Sequence, residues 1–480
     1  MNLRTVLFVL GILLSILGIA MLLPAIFQFY IGENSENFLT SSFITIFVGI
    51  LLILSNLYSE KRLNLREAFI LTTTSWAGIA LFGSLPFFFS DLEMSFSDSL
   101  FESMSGITTT GSTVIAELDI APKGILMWRA LLQWLGGIGI IVMAITILPF
   151  LGVGGMQLFQ IQSASASEKI LPKTKEISFK IFYIYSSLTF FCFISYHLAG
   201  MNIFDSFAHS MTTIATGGFS THTESIGFFK NHLIEIVSMV FIVMGSLPFI
   251  AYLKFIRGEK KIFLSDLQIR GFLFLILISV IIMFFYLLIN HDLGLLENLR
   301  IASFNVISIL SGTGYVTSDF SLWGNFPLIF FLFLMFIGGC AGSTACGIKI
   351  FRIQILLSFF KTQIKKILYP NGIFPIRYNK NKINPSFISS VITFIYLYFL
   401  IFFIIIVLLT LNGMDFVSAV SGAASSISNV GPGLGEKIGP SGNFKDLSNI
   451  SKWILSFGML LGRLEMIAVL VLFFPKFWKN

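Results

Sequence analysis

Charge is scarce in this sequence. Only 11% of its 480 residues are Asp, Glu, Lys or Arg, against about 25% in an ordinary soluble domain. It lacks any long polar segment, which excludes a soluble catalytic or nucleotide-binding domain within the chain. The three cysteines, Cys192, Cys340 and Cys346, lie in apolar surroundings, and their spacing fits neither a zinc site nor a disulfide framework. The five histidines are scattered, which disfavours a metal centre or a nucleophile–base pair. The glycine-rich stretch GIGIIVMAITILPFLGVGG (137–155) has no strand-turn-helix context, so it is assigned to helix packing and not to a nucleotide. The expectation is a protein that is not an enzyme, with no organic cofactor and no nucleic-acid partner.

What the chain has is apolar residues, 55% of the total. A membrane span needs roughly 20 of them in a row. Ten runs qualify: 6–30, 38–58, 67–90, 125–150, 178–199, 231–256, 267–290, 323–350, 385–411 and 452–474. The first is too long for a signal-peptide core, lacks an A-x-A cleavage site and reads as a retained span. With the N-terminus inside, 23 of the 31 Lys and Arg fall on the inner side, among them Lys61, Arg62, Lys169, Lys349, Arg352 and Lys380. Seven, Lys123, Arg129, Lys230, Arg300, Lys437, Lys445 and Lys452, fall outside, and Arg463 lies within a span. Both termini are thus expected in the cytoplasm. The outer side carries Glu33, Asp91, Glu93, Glu117, Asp119 and Asp446; they are either an acidic vestibule that would concentrate cations or plain solvated loop charges.

One polar stretch recurs. SDSLFESMSGITTTGST (97–113) aligns without gaps on FDSFAHSMTTIATGGFS (204–220), RIASFNVISILSGTGYV (300–316) and VSAVSGAASSISNVGPG (417–433). The shared position is Gly111, Gly218, Gly314 and Gly431. Each copy lies between two spans on the outer side. The fold expected is an all-α polytopic membrane protein. Two N-terminal transmembrane helices (1–66) precede four pseudo-symmetric helix–pore-loop–helix repeats around a central pore: 67–150, 178–257, 267–369 and 385–474. Eleven residues from Asp98 to Thr108 make a helix of about 16 Å, half of the roughly 30 Å hydrocarbon core. Each short helix can therefore enter from outside and stop at mid-membrane, its negative dipole end aimed where a cation would sit. The returning backbone must then be surrounded by protein or water.

Carbonyl oxygens can replace the hydration shell of a cation, and glycine lets the backbone turn them inward. The candidate potassium-binding lining is Thr109, Thr110, Gly111 and Ser112; Thr216, Gly217, Gly218 and Phe219; Gly312, Thr313, Gly314 and Tyr315; Asn429, Val430, Gly431 and Pro432. No loop core carries a carboxylate, which argues against a filter for divalent cations. With a single shared glycine per loop, discrimination should be weaker than in a potassium channel. A less selective potassium/sodium transporter or a cation symporter of the same fold is the alternative. Parallel repeats disfavour an inverted-repeat transporter. Arg463, mid-span in LLGRLEMIAVL, costs about 2.5–3.5 kcal/mol to insert, so a functional role is the default. It is expected to face the pore below the filter and oppose cation passage. Glu465, two residues on, points to another helix face and cannot readily neutralise it.

The chain resembles the Trk/Ktr/HKT superfamily of potassium transporters along its whole length. The strings that carry this are TTTGST (108–113), ATGGFSTH (215–222), GGCAGSTACGIK (338–349), NVGPGLG (429–435) and GMLLGRLE (458–465). The two extra N-terminal spans are similar to the TrkH/TrkG branch. The resemblance implies potassium uptake across a bacterial plasma (inner) membrane, with glycine in all four loops going with potassium preference. It implies a homodimer with one pore per subunit, and a TrkA-like cytosolic ring of nucleotide-binding proteins as regulator. It also implies that Gly338, Gly339, Ala341, Gly342, Ser343, Thr344 and Gly347 belong to an intramembrane loop that gates the pore together with Arg463. Gly217, a second glycine before the shared one, and the GTGYV of the third loop depart from the usual pattern. The basic stretch 365–382 reads as positive-inside charge touching anionic lipid, with partner docking as the alternative.

Overall fold

The structure, a computed structural model, describes residues 3–58, 64–146, 170–291, 294–379 and 381–479. Lys61, Arg62, Lys169 and Lys380 of the inner basic set, and the end of the glycine-rich stretch from 147 onward, lie outside the described residues. Among the described residues the fold is all-α apart from a small antiparallel hairpin, Arg377–Tyr378 with Asn381–Lys382, inside the basic stretch, and one isolated bridge between Ile337 and Ile348.

Among the described residues seven helices are long and apolar enough to cross a membrane, and two bent helix pairs bring the candidate spans to nine. This corrects the ten continuous runs. The run 231–256 bends by 88° between His232–Ser246 and Phe249–Ile256, where Pro248 cannot continue the helix. The last run bends by 109° after Asn449–Arg463. The run 323–350 is not one helix: Asn325–Phe336 stops, and the chain resumes as helix only at Ile350–Leu368. Arg463 is therefore the last residue of its helix, at the break within this bent span.

The first two helices, Leu3–Ile31 and Glu36–Ser55, pack through small residues. A Cβ on Gly11 would come within 2.7 Å of the Gly49 carbonyl, and Ser42 donates to the Gly18 carbonyl at 2.7 Å. Without a hydrophobic drive between helices in lipid, such close backbone approach supplies the packing.

The four short helices are Phe96–Ile107, Ile203–Ile214, Leu295–Leu310 and Phe416–Ser428. Three begin at a capping side chain, Ser95, Asn202 or Asp415, which accepts the N–H of the residue three on. Such caps satisfy donors that helix geometry leaves unpaired. Gly294 starts the third. Asp98, Asp205 and Glu297 sit in first turns, at the favourable dipole end. The far ends are fully buried and run straight into the polar loops.

Candidate functional site: a ring of four loops above one buried loop

The four loops share one backbone course. Two residues before each shared glycine φ is positive: Thr109 53°, Thr216 49°, Gly312 74° and Asn429 53°. It is positive again at the shared glycine: Gly111 91°, Gly218 79°, Gly314 81° and Gly431 111°. Apart from glycine, few residues other than asparagine adopt this conformation readily, so Thr109 and Thr216 are held there by their surroundings.

Adding a Cβ to each shared glycine shows why glycine is needed twice over. On Gly111 it would run into the Gly217 carbonyl, on Gly218 into that of Thr313, and on Gly314 into that of Val430. On Gly431 it would lie 2.8 Å from the Thr110 carbonyl. Each glycine thus abuts the carbonyl that precedes the next glycine, and the fourth returns to the first. The four loops close a ring in chain order, and one cavity is lined by all four shared glycines.

The other expected lining residues contribute mainly backbone. The Phe219 ring lies under the Arg129 guanidinium at 4.0 Å. The Tyr315 hydroxyl bonds Thr212 and Thr213 of the second short helix. Asn429 Nδ2 donates to Thr110 Oγ1 and to the Met459 carbonyl, both at 2.9 Å. Ser112 Oγ donates to the Gly431 carbonyl at 2.7 Å, joining first loop to fourth. Val430 and Thr313 offer the carbonyls already named, and Pro432 lines the cavity.

Beneath the ring lies the loop from Gly338 to Gly347. Its ends are pinned by Gly338 N–H to the Ile348 carbonyl and Ile348 N–H to the Phe336 carbonyl, each 2.9 Å. A Cβ on Gly338 would strike the Cys346 carbonyl, so the two limbs touch backbone to backbone. Gly347, with φ of 70°, makes the exit turn. Cys340 N–H donates to the Ser246 carbonyl, Gly339 abuts Ser246, and Ala341 N–H donates to Gln268 Oε1. The Gly342 carbonyl accepts from Phe249 N–H, and Ser343 Oγ closes onto the Cys340 carbonyl.

The loop's last residues touch every quarter of the ring. Thr344 Oγ1 donates to the Ile214 carbonyl at the end of the second short helix. Cys346 Sγ lies 3.7 Å from Thr109 Oγ1, and a Cβ on Gly312 would lie 3.4 Å from Cys346 N. From the fourth quarter, Arg463 donates to the Thr344 carbonyl at 3.2 Å, to the Gly136 carbonyl at 3.2 Å and to Cys346 Sγ. Among the described residues no carboxylate pairs with Arg463. Glu465 pairs instead with Arg352, just after the loop, whose guanidinium also covers the Phe394 ring at 3.7 Å.

Sequence reading missed several anchors. Arg129, counted as an outer loop charge, is fully buried and paired with Glu102 at 2.7 Å. It donates to the Ser220 carbonyl at 2.7 Å, while Glu102 also accepts from Thr113 Oγ1 and Val114 N–H. One ion pair thereby joins the first and second loops. Gln133, one turn on, contacts the second loop as well. The available signal was the spacing of four between two polar residues inside ILMWRALLQWL, which puts both on one helix face. Two other residues counted on the outer side are paired too: Lys452 with Asp98 at 2.6 Å, and Arg300 with Glu235 at 2.5 Å.

Comparison with known proteins gives this arrangement a family. Residues 34–480 match the family model TrkH, described as a cation transport protein. The chain is 40% identical over 415 residues to the Trk system potassium uptake protein TrkI of Halomonas elongata, covering 86% of this chain and 84% of that one. It is 37% identical to TrkH of the same organism and 33% identical to TrkH of Escherichia coli, over the full length of each. The crystal structure of the potassium transporter TrkH from Vibrio parahaemolyticus superposes with a TM-score of 0.93 at 35% identity, over 100% of both chains. The chain is therefore a multi-pass membrane protein of the TrkH family, a family of cation transporters and not of enzymes.

Proposed function

We propose that this chain takes up potassium ions across a bacterial plasma membrane, through the ring of four loops. The observation that carries the reading is the closed cycle of glycine against neighbouring carbonyl. A dehydrating cation needs carbonyl oxygens converging on one axis, and the cycle supplies four polypeptide quarters with no side chain between them. The four short helices end at this ring, adding their negative dipole ends. The quarters are the segments 67–150, 178–257, 267–369 and 385–474, with residues 1–66 outside them. The relatives are named potassium uptake proteins, which supports potassium as the transported ion.

In this reading the loop Gly338–Gly347 is the gate and Arg463 its latch. The arginine donates to the loop's backbone and holds a positive charge on the exit path, so opening requires those bonds to break. Control then comes from the cytoplasmic side, where the basic stretch 365–382 and both termini would lie. A TrkA-like nucleotide-binding ring is the partner proposed, and a homodimer the working unit. The test is flux from liposomes holding the purified protein, with potassium, rubidium or sodium, and with and without the partner. Potassium and rubidium should pass well ahead of sodium. Absence of any cation flux in all arms would reject the reading.

A further inference from the structure

The second loop is held differently from the other three. In the third and fourth loops a serine six residues before the shared glycine holds the loop: Ser308 Oγ donates to the Tyr315 carbonyl at 2.6 Å, and Ser425 Oγ to the Gly431 carbonyl at 2.8 Å. The first loop is held by Glu102 through Thr113 and Val114. At the matching position of the second loop stands Thr212, but its hydroxyl is engaged by the Tyr315 hydroxyl and by its own helix.

The missing hold comes from outside, from the long helix Lys123–Thr146. Gln133 Nε2 donates to the Gly217 carbonyl at 2.6 Å, and its Oε1 accepts from Phe219 N–H at 3.1 Å. One fully buried amide thus brackets Gly218 on both sides. The residue before the shared glycine is Thr110, Thr313 and Val430 in the other loops. Here it is Gly217, and a Cβ there would collide with the Gln133 amide. The second glycine of the second loop is therefore the space that Gln133 occupies. The carbonyl it grips is also the one that abuts Gly111 in the ring.

We propose that Gln133 is a positioning residue for selectivity, aiming the Gly217 carbonyl and thereby setting the spacing between the first and second quarters of the ring. The proposal rests on the reading of the ring as the ion path. An amide suits the task because it carries an N–H donor and a carbonyl acceptor side by side, so one side chain can serve both the Gly217 carbonyl and the Phe219 N–H. Without it, a buried carbonyl and a buried N–H both lose their partner.

The test compares rubidium and sodium flux through the purified full chain in liposomes, for wild type, Gln133→Leu, Gln133→Glu and, as a ring control, Gly218→Ser. Gln133→Leu should lower the rubidium-to-sodium ratio roughly tenfold, the scale expected when a buried bond is left unmade. Gln133→Glu keeps the acceptor for Phe219 but loses the donor, so its ratio should fall as well. It should recover on acidification, as protonation of the introduced carboxyl restores a donor to the Gly217 carbonyl. A role confined to packing would lower all fluxes together and leave the ratio and its pH response flat. If Gln133→Leu fails to insert, the pH response of Gln133→Glu decides. Selective wild-type flux, lost in Gly218→Ser but unchanged in every inserted Gln133 variant at all pH values, overturns the proposal alone. Wild-type protein passing no cation overturns the ring reading beneath it.

Discussion

The ring and the loop below it are built on opposite plans. The ring uses one backbone course four times with four different sets of side chains: TTGS, TGGF, GTGY and NVGP. What repeats is a pair of positive φ values and a glycine with no room for a Cβ. The loop occurs once, and specific partners hold it: Gln268, Gly245, Ile214 and Arg463. A site made of carbonyls constrains torsion angles and leaves side chains free to vary. A plug constrains its anchors. Damage to the ring should therefore stop or blur transport, and damage to the anchors should release it.

The largest effect is expected in the ring. Gly314→Ala places a methyl against the Val430 carbonyl at a φ of 81°, and left-handed backbone alone costs an L-residue about 1–2 kcal/mol. Potassium flux should fall roughly a hundredfold, equivalent to about 2.7 kcal/mol on the barrier, with the protein still inserted. Flux within a factor of about two of wild type would show that the ring tolerates side chains. The opposite sign is expected below. Arg463→Ala removes donations to Thr344 and Gly136, and hydrogen bonds from a charged group contribute about 1.5–3 kcal/mol each. Basal flux without the partner should rise roughly tenfold. Unchanged flux at equal protein amount would leave Arg463 a structural residue only.

The next effect concerns the ion pair beside the loop, at the bend after Arg463. Arg352 and Glu465 pair with side chains 4% and 15% exposed, and breaking such a pair from one side costs about 3–5 kcal/mol because a buried charge is stranded. Arg352→Gln should lower the melting temperature clearly. The double variant Arg352→Gln, Glu465→Gln should recover much of the loss. Additive losses in this cycle would mean that the two residues do not act as a pair.

The legible part of this molecule was the part that repeats or breaks a rule. Four glycines in equivalent places, a run of small residues in 338–347 and one arginine in an apolar run are each anomalous in a membrane sequence. The physics of lipid makes such anomalies costly, so they point to function. The bends after Ser246 and Arg463 were hidden because apolar composition is the same on both sides of a break. The pairings were hidden for another reason. Glu102 with Arg129, Gln133 with Gly217 and Arg352 with Glu465 are 27, 84 and 113 residues apart, and only packing brings them together. Arg129 was counted among the outer charges, and nothing in the count showed that it is buried. Its burial follows from Glu102, whose place on the short helix is a tertiary fact.

The smallest effect lies at the mouth of the ring, where His222 lines the same cavity as the four glycines. Its ring stacks on Phe228 at 3.6 Å, with Nδ1 2.6 Å from Asp119 and Nε2 3.1 Å from Asp205. Both nitrogens can donate only in the imidazolium. Burial alone would lower its pKa, but the hydrogen bonds to Asp205 and Asp119 prevail and raise it above the ordinary 6.5. A raised folded pKa means stabilisation that is full below pH 6.5 and fades as pH climbs through the folded value. His222→Gln keeps some hydrogen bonding but no charge. Wild type should therefore melt above the variant at acidic pH, and the gap should close at alkaline pH. Asp119 is about half exposed, so the gap should correspond to no more than about 1 kcal/mol. A gap that stays constant across the titration would show that the histidine holds the mouth by stacking and shape, and that the ring's entrance, like the ring itself, owes its form to geometry more than to charge.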